Sequence, residues 1–307
     1  MVNFSDGNRH DKFRVGLHLA LKKRFPEIEL PELSAAAELE HDHCWRFVFR
    51  KLDLLEMVQY LDRARENSNR ELGKNNKDGV YILPDAQWCI ASSENGVGMA
   101  CKGGHNGEPH NHNDVGHFLY EAKGSAFLAD LGAGEYNRDY FGERRYEILC
   151  NSSFGHSVPI LSGRGQKHGR EYGCSCFEVK ETLDQVLIHM DLSGAYGVSA
   201  GKILRKVLFS LSAGSLTVVD RFSGMDADTV ILENLITQCR PVAEGNRLIL
   251  IGDHARTELT GFDLESMTIV EHSHRNHQGK TEKVYAIQWK ILMEAGESSF
   301  YIRLLED

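Results

Sequence analysis

The sequence predicts a mainly β protein, a large antiparallel β-sandwich preceded by a short α-helical segment. Two observations carry this. From Val80 onward apolar residues recur with period two in many short runs punctuated by Gly, Asn and Asp, and no helical stretch separates them. Strands that follow one another without crossover helices pair antiparallel and stack face to face. Earlier in the chain the period is helical. The chain therefore divides into residues 1–79, a helical segment with a linker, and residues 80–307, the sandwich.

The elements follow in order. Residues 11–24 place Phe13, Leu17 and Leu21 at helical spacing, and Pro26 stops the run. Residues 50–66 repeat the pattern with Leu54, Leu55, Val58 and Leu61. The polar stretch NSNRELGKNNKDG, with Gly73 and Gly79, is the linker. Strand-like runs then occupy 80–83, 87–92, 97–102, 116–122, 125–130, 185–192, 202–211, 215–222, 229–236, 284–292 and 298–305. The runs 116–122 and 125–130 read as a hairpin turning at Lys123 and Gly124. A two-residue loop there sets Asp130 opposite roughly His117.

Composition removes several classes. With 307 residues and 41% hydrophobic content the chain can bury a substantial core. Its 35 basic against 44 acidic residues give a net charge of −9, the wrong sign for gripping nucleic acid. No run approaches a membrane helix, and the first thirty residues lack a signal peptide's apolar stretch. The seven cysteines are scattered with no C-x-x-C pair, so they read as reduced thiols. That favours a cytoplasmic location, with a secreted or periplasmic one expected if further sequence precedes Met1.

Chemistry concentrates in residues 103–166. Six of fifteen histidines fall between His105 and His168. His110, His112 and Asp114 alternate in H-N-H-N-D, which on an extended backbone puts all three on one face. The hairpin brings Asp130 beside them, and His156 supplies a further imidazole. His, Asp and His with a place for water is a ligand set that zinc favours, and manganese or iron also accept it. Gly104, Gly107, Gly132 and Gly134 permit close backbone approach, whereas His105, His117 and His168 read as solvent-facing or structural. Between Arg138 and Arg170 six basic residues (Arg138, Arg144, Arg145, Arg164, Lys167, Arg170) stand against three acidic ones, a local patch suited to carboxylate or sulfate groups or a solvated charged loop. Tyr136, Tyr140 and Tyr146 lie among these charges. Such a tyrosine is either a base with a lowered pKa or a half-buried, hydrogen-bonded phenol.

PHNHNDVGHF, FLADLGAGEY, RYEILCNSSFGHSVP and SGRGQ, with YILPDAQWCIASS upstream, resemble the C-terminal β-sandwich of the heparinase II/III-like polysaccharide lyases. The specific similarity covers about residues 80–170. The resemblance implies that residues 1–75 correspond to the last helices of an α/α toroid and that His110 lines the catalytic cleft. It also implies that His112, Asp130 and His156 ligate a structural zinc, and that Tyr136 and Tyr140 lie near a catalytic tyrosine of some relatives. The toroid residues that normally face His110 have no counterpart in this sequence, so the 307 residues are expected to fold and bind metal with little turnover.

The implied function is a polysaccharide lyase, or part of one, cleaving a uronate-containing polymer by β-elimination. His110, Tyr136 and Tyr140 are the candidate catalytic residues, Arg138, Arg144 and Arg145 the candidate substrate-binding residues, and His112, Asp130 and His156 the metal ligands. The expected partner is an acidic polysaccharide or oligosaccharide, with no nucleic acid, no membrane, and self-association through apolar helix faces such as Leu54, Leu55, Val58 and Leu61. A non-catalytic carbohydrate-binding sandwich is one alternative. A metal-dependent cupin is another, since Gly104, His110 and His112 meet G-x5-H-x-H, although Gly116 and His117 stand where a cupin wants Glu.

Overall fold

The computed structural model describes residues 4–6, 23–27, 79–197, 201–292 and 296–305. Two compact units divide the chain, Met1–Arg9 with Lys77–Asp307, and His10–Asn76. The expected helical segment, its apolar faces and the linker lie almost wholly outside the described residues. Among the described residues no helix is long and apolar enough to cross a membrane.

The first sheet is a five-stranded meander of β1 (Gly79–Leu83), β2 (Trp88–Ser92), β3 (Val97–Lys102), β4 (Phe118–Ala122) and β5 (Ser125–Leu128). β4 and β5 form the expected hairpin, with Ala122 opposite Ser125. Lys123 (φ 51°) and Gly124 (φ 77°) both adopt the left-handed conformation that a tight two-residue turn requires. A bulge between Tyr120 and Glu121 slips the register by one residue, and Asp130 ends beside His117 as the loop length implied.

The remaining strands are β6 (Ile160–Leu161), β7 (Cys176–Glu181), β8 (Gln185–Asp191), β9 (Lys202–Ser210), β10 (Ser215–Ser223), β11 (Ile231–Thr237), β12 (Arg240–Glu244), β13 (Arg247–Ile251), β14 (Arg256–Thr260), β15 (Thr268–Arg275), β16 (Thr281–Ile291) and β17 (Glu297–Leu304). They build an eight-stranded sheet in the order β12-β13-β14-β17-β10-β9-β8-β7 and a four-stranded sheet in the order β15-β16-β11-β6. Every run anticipated as a strand holds one. β6, β7, β12, β13, β14 and β15 lie outside those runs: β7, β12 and β15 are mostly exposed sheet edges where alternation fades, and β6, β13 and β14 are short, the longest of them 5 residues.

One core joins the three sheets. Phe300 of the eight-stranded sheet meets Phe118 of the first sheet and Trp289 of the four-stranded sheet. Alternation along β9 sends Ile203, Arg205, Val207 and Phe209 inward, and along β10 Leu216, Val218, Asp220 and Phe222. Arg205 and Asp220 are direct cross-strand partners, so a guanidinium and a carboxylate face each other inside the core. Arg205 Nε lies 2.8 Å from Asp220 Oδ1, its Nη2 bonds the same carboxylate and stands 3.8 Å from Glu233, and its Nη1 donates to the carbonyls of Gly116 (2.9 Å) and Ser157 (2.7 Å). Those carbonyls belong to the two loops that carry the histidines.

Removing one partner of a buried ion pair strands the others without compensation. Arg205→Met should lower unfolding stability by about 3–5 kcal/mol, read from the urea midpoint. A loss below about 1 kcal/mol, the scale of a surface pair, would show that the pair is not a structural anchor.

Candidate functional site

The site forms where three connections converge. His112 lies in the loop from β3 to β4, Asp130 directly follows β5, and His156 follows a run of 3-10 turns ending at Gly155. Loops must satisfy their own polar backbone, and here they do so through one another. Gln166 accepts the N–H of Val115 (2.9 Å) and donates to its carbonyl (2.6 Å), while Ser153 Oγ donates to Asn113 O (2.7 Å). β11 fixes the other side, with Asn234 donating to His156 O (2.8 Å) and Ser157 Oγ accepting the N–H of Ile236 (3.1 Å).

His112, Asp130 and His156 are buried together, with one ligand atom from each lying within 4.8 Å of the others. Their hydrogen bonds settle where the protons are. His156 Nε2 faces the Cys150 carbonyl at 2.8 Å, which can only accept, so the ring proton is on Nε2 and Nδ1 is a bare lone pair. His112 Nε2 faces the Asp6 carboxylate at 3.0 Å, so its Nδ1 is also bare. Among the described residues neither Nδ1 has a hydrogen-bond partner, and that of His156 points at Asp130 Oδ2 from 3.6 Å. Two imidazole lone pairs and a carboxylate oxygen gathered this closely repel one another, and a cation among them relieves the repulsion. The trio thus fits a divalent metal. Burial pushes His156 down from its ordinary range, keeping it in the neutral, ligating form.

A third buried imidazole has the same tautomer but turns its other nitrogen toward Asp130. His117 Nδ1 accepts the Ser157 N–H (2.9 Å), so Nε2 carries the proton and faces Asp130 Oδ2 at 3.8 Å. Burial, then the neighbouring His156, holds it well below the usual histidine range. At 3.8 Å it lies beyond hydrogen-bond reach of Asp130, and the nitrogen it turns toward the carboxylate carries a proton, not a lone pair.

The H-N-H-N-D segment departs from the expected extended strand. His110 adopts φ 60°, which turns its ring outward to 76% exposure while His112 and Asp114 point inward. Asp114 is committed elsewhere, accepting from buried Lys102 Nζ at 2.9 Å and Ser5 Oγ at 3.1 Å. Burial alone would raise its carboxyl, but Lys102 holds it well below the usual carboxylate range.

Asp6, absent from the candidate residues above, is the hub of the outer half. Around its carboxylate stand His112 Nε2, His110 Nδ1 (3.2 Å), Arg145 Nη2 (3.6 Å), Tyr136 OH (3.5 Å) and the hydroxyl of Tyr140, a very short contact. Burial opposes ionisation, yet the hydrogen bonds from His112 and Tyr140 prevail and hold Asp6 at about 2. The two tyrosines move the other way, raised by burial and by the Asp6 charge. Tyr140 is fully buried and is thus the hydrogen-bonded phenol of the two alternatives; Tyr136 stays 43% exposed at the rim.

The basic patch divides. Arg145 turns inward, donating to Tyr140 O (3.0 Å) and Asn111 O (2.9 Å) with its guanidinium over the Tyr140 ring. Arg144 is exposed and paired with Glu147 and Asp139, and Arg138 is exposed. Beyond Asn113 a cavity of about 490 Å³ opens between Tyr146, Phe154, Lys167, His168 and Tyr172.

The architecture is a heparinase-like β-sandwich. The heparan sulfate lyase HepC from Pedobacter heparinus is similar at 16% identity and TM-score 0.58, over 82% of this chain and 42% of that one. Two heparinase III structures are similar at 15% identity, TM-score 0.60 (84% and 40%), and 13% identity, TM-score 0.57 (83% and 42%). This chain spans about two fifths of their length. No protein-family model and no curated protein sequence matches it.

Protein purified without added metal should carry close to one equivalent of a divalent ion by elemental analysis. A metal present at about 100 times its Kd contributes about 2.7 kcal/mol, so chelation should lower the unfolding temperature measurably. A metal-free protein indifferent to chelator and added metal would contradict the ligand assignment.

Proposed function

We propose that this chain supplies the sandwich side of a polysaccharide lyase site that cleaves a uronate-containing polymer by β-elimination, with zinc held by His112, Asp130 and His156. The observation that carries the reading is His110, an exposed imidazole braced by a buried carboxylate at the rim of the site, on a heparinase-like fold. Zinc suits two nitrogens and one oxygen, and when bound supplies a fixed positive charge that ties the three loops together.

The elimination breaks the C5–H bond beside the uronate carboxylate, forms the C4–C5 double bond and expels the oxygen on C4. It needs a base, an acid and positive groups near the carboxylate. His110 donates Nδ1–H to Asp6, so Nε2 projects outward as a lone pair able to take the C5 proton. Asp6 then stabilises the imidazolium. Tyr136 keeps its proton because burial and Asp6 raise its pKa, and from the rim it can deliver that proton to the leaving oxygen. Tyr140 and Arg145 hold Asp6 beneath, and Arg138 and Arg144 meet carboxylate or sulfate groups at the edge. The wall facing His110 is a helical toroid in this reading, which also makes an acidic polysaccharide the partner.

Incubation with heparan sulfate, alginate and other uronate polymers tests this through the ultraviolet absorbance of the unsaturated product. Slow formation should fall about 10²–10⁴-fold in His110→Ala, with metal content unchanged. Saturable oligosaccharide binding with no unsaturated product from any polymer would favour the carbohydrate-binding sandwich instead.

A further inference from the structure

The segment Phe4–Asp6 touches the metal-capable trio at two points, through two different kinds of group. Ser5 N–H donates to Asp130 Oδ2 at 3.0 Å, while Gly132 N–H holds the other oxygen at 2.8 Å. Asp6 accepts from His112 Nε2 at 3.0 Å. We propose that this segment is part of the metal centre, a clasp in which Asp6 fixes the tautomer and ring orientation of His112 while Ser5 orients Asp130. Asp6 is thereby a positioning residue for the metal. The inference rests on the reading of His112, Asp130 and His156 as ligands.

Three features mark the clasp as a built part of the site. Phe4 and Ser5 are 6% and 8% exposed, and the Phe4 ring lies edge-on to Trp88 at 4.9 Å and to His117 at 6.1 Å. Ser5 Oγ donates to Asp114 and receives Lys102 Nζ at 3.3 Å, which ties the segment to the ion pair below the trio. Ser5 has φ 56°, a conformation that serine adopts at a cost and keeps only where its surroundings hold it. A carboxylate merely filling the place of a substrate's acid group would need a releasable chain, and this one is anchored through Ser5 to Asp130 and Asp114. A ligating histidine whose other nitrogen donates to a carboxylate is more basic and held in a single pose, and losing that carboxylate commonly weakens metal binding.

The test is zinc affinity, measured on the full chain by chelator competition. D6A should bind zinc about 10–100-fold more weakly than the unaltered chain. D6N, whose amide oxygen still accepts the His112 proton but carries no charge, should lie measurably between them, weaker than the unaltered chain by up to about tenfold. H110A, altered on the outer side of Asp6, should bind as the unaltered chain does. Should D6A fail to fold, the isosteric D6N carries the test, and an unchanged affinity in it overturns the proposal. Unchanged affinity in D6A does so as well; if that variant also gains uronate-oligosaccharide binding, Asp6 is a stand-in for the substrate's carboxylate. An unaltered chain that takes up no zinc overturns the clasp together with the ligand assignment, which keeps the two failures distinct.

Discussion

The structure turns on one constraint of proton bookkeeping. Three imidazoles and a carboxylate are buried together, and each ring has one nitrogen committed to a partner whose role is fixed: the Cys150 carbonyl and the Asp6 carboxylate accept, the Ser157 N–H donates. Those commitments leave lone pairs on His112 and His156 and a proton on His117. The first two converge with Asp130 into an electron-rich pocket, and the third turns its N–H toward Asp130 from 3.8 Å. A positive charge inside the pocket would relieve that repulsion, and the surrounding hydrogen bonds leave the three groups able to hold a metal ion.

Holding these tautomers requires rigid loops, and their anchor lies in the sandwich core. Arg205 balances Asp220 within the sheet and spends its remaining donors on Gly116 O and Ser157 O, the residues next to His117 and His156. A buried ion pair is a costly way to gain stability. Here it serves position: the guanidinium reaches from the eight-stranded sheet to both histidine loops at once. Lys102 and Asp114 do the corresponding work under the β3–β4 loop, and Asp114 stays ionised because Lys102 outweighs its burial. The outer half of the site is tied in by Asp6, so the buried metal-capable trio and exposed His110 share one carboxylate.

Much of this was legible from the chain. Strand periodicity located most of the central strands but not β13 and β14, and the loop length at Lys123–Gly124 placed Asp130 beside His117 despite the bulge. The grouping of His112, Asp130 and His156 followed from that hairpin together with the family resemblance. What stayed hidden is what depends on distant partners. Asp6 and Asp130 lie far apart in the sequence, and nothing local in NFSDGN marks a hub. Arg205 and Asp220 break the apolar alternation of β9 and β10, where a sequence reading sees only two charges in strands. His110 was placed on one face with His112 because alternation assumes an extended backbone; its left-handed φ is a tertiary choice that propensity does not contain.

The most direct measurement is zinc K-edge X-ray absorption on the purified chain. The account predicts a shell of about four light ligands with two imidazoles at roughly 2.0–2.1 Å, oxygen for the remainder and no sulfur. A sulfur shell near about 2.3 Å, which would enlist Cys150, or a hydrated all-oxygen ion would contradict it.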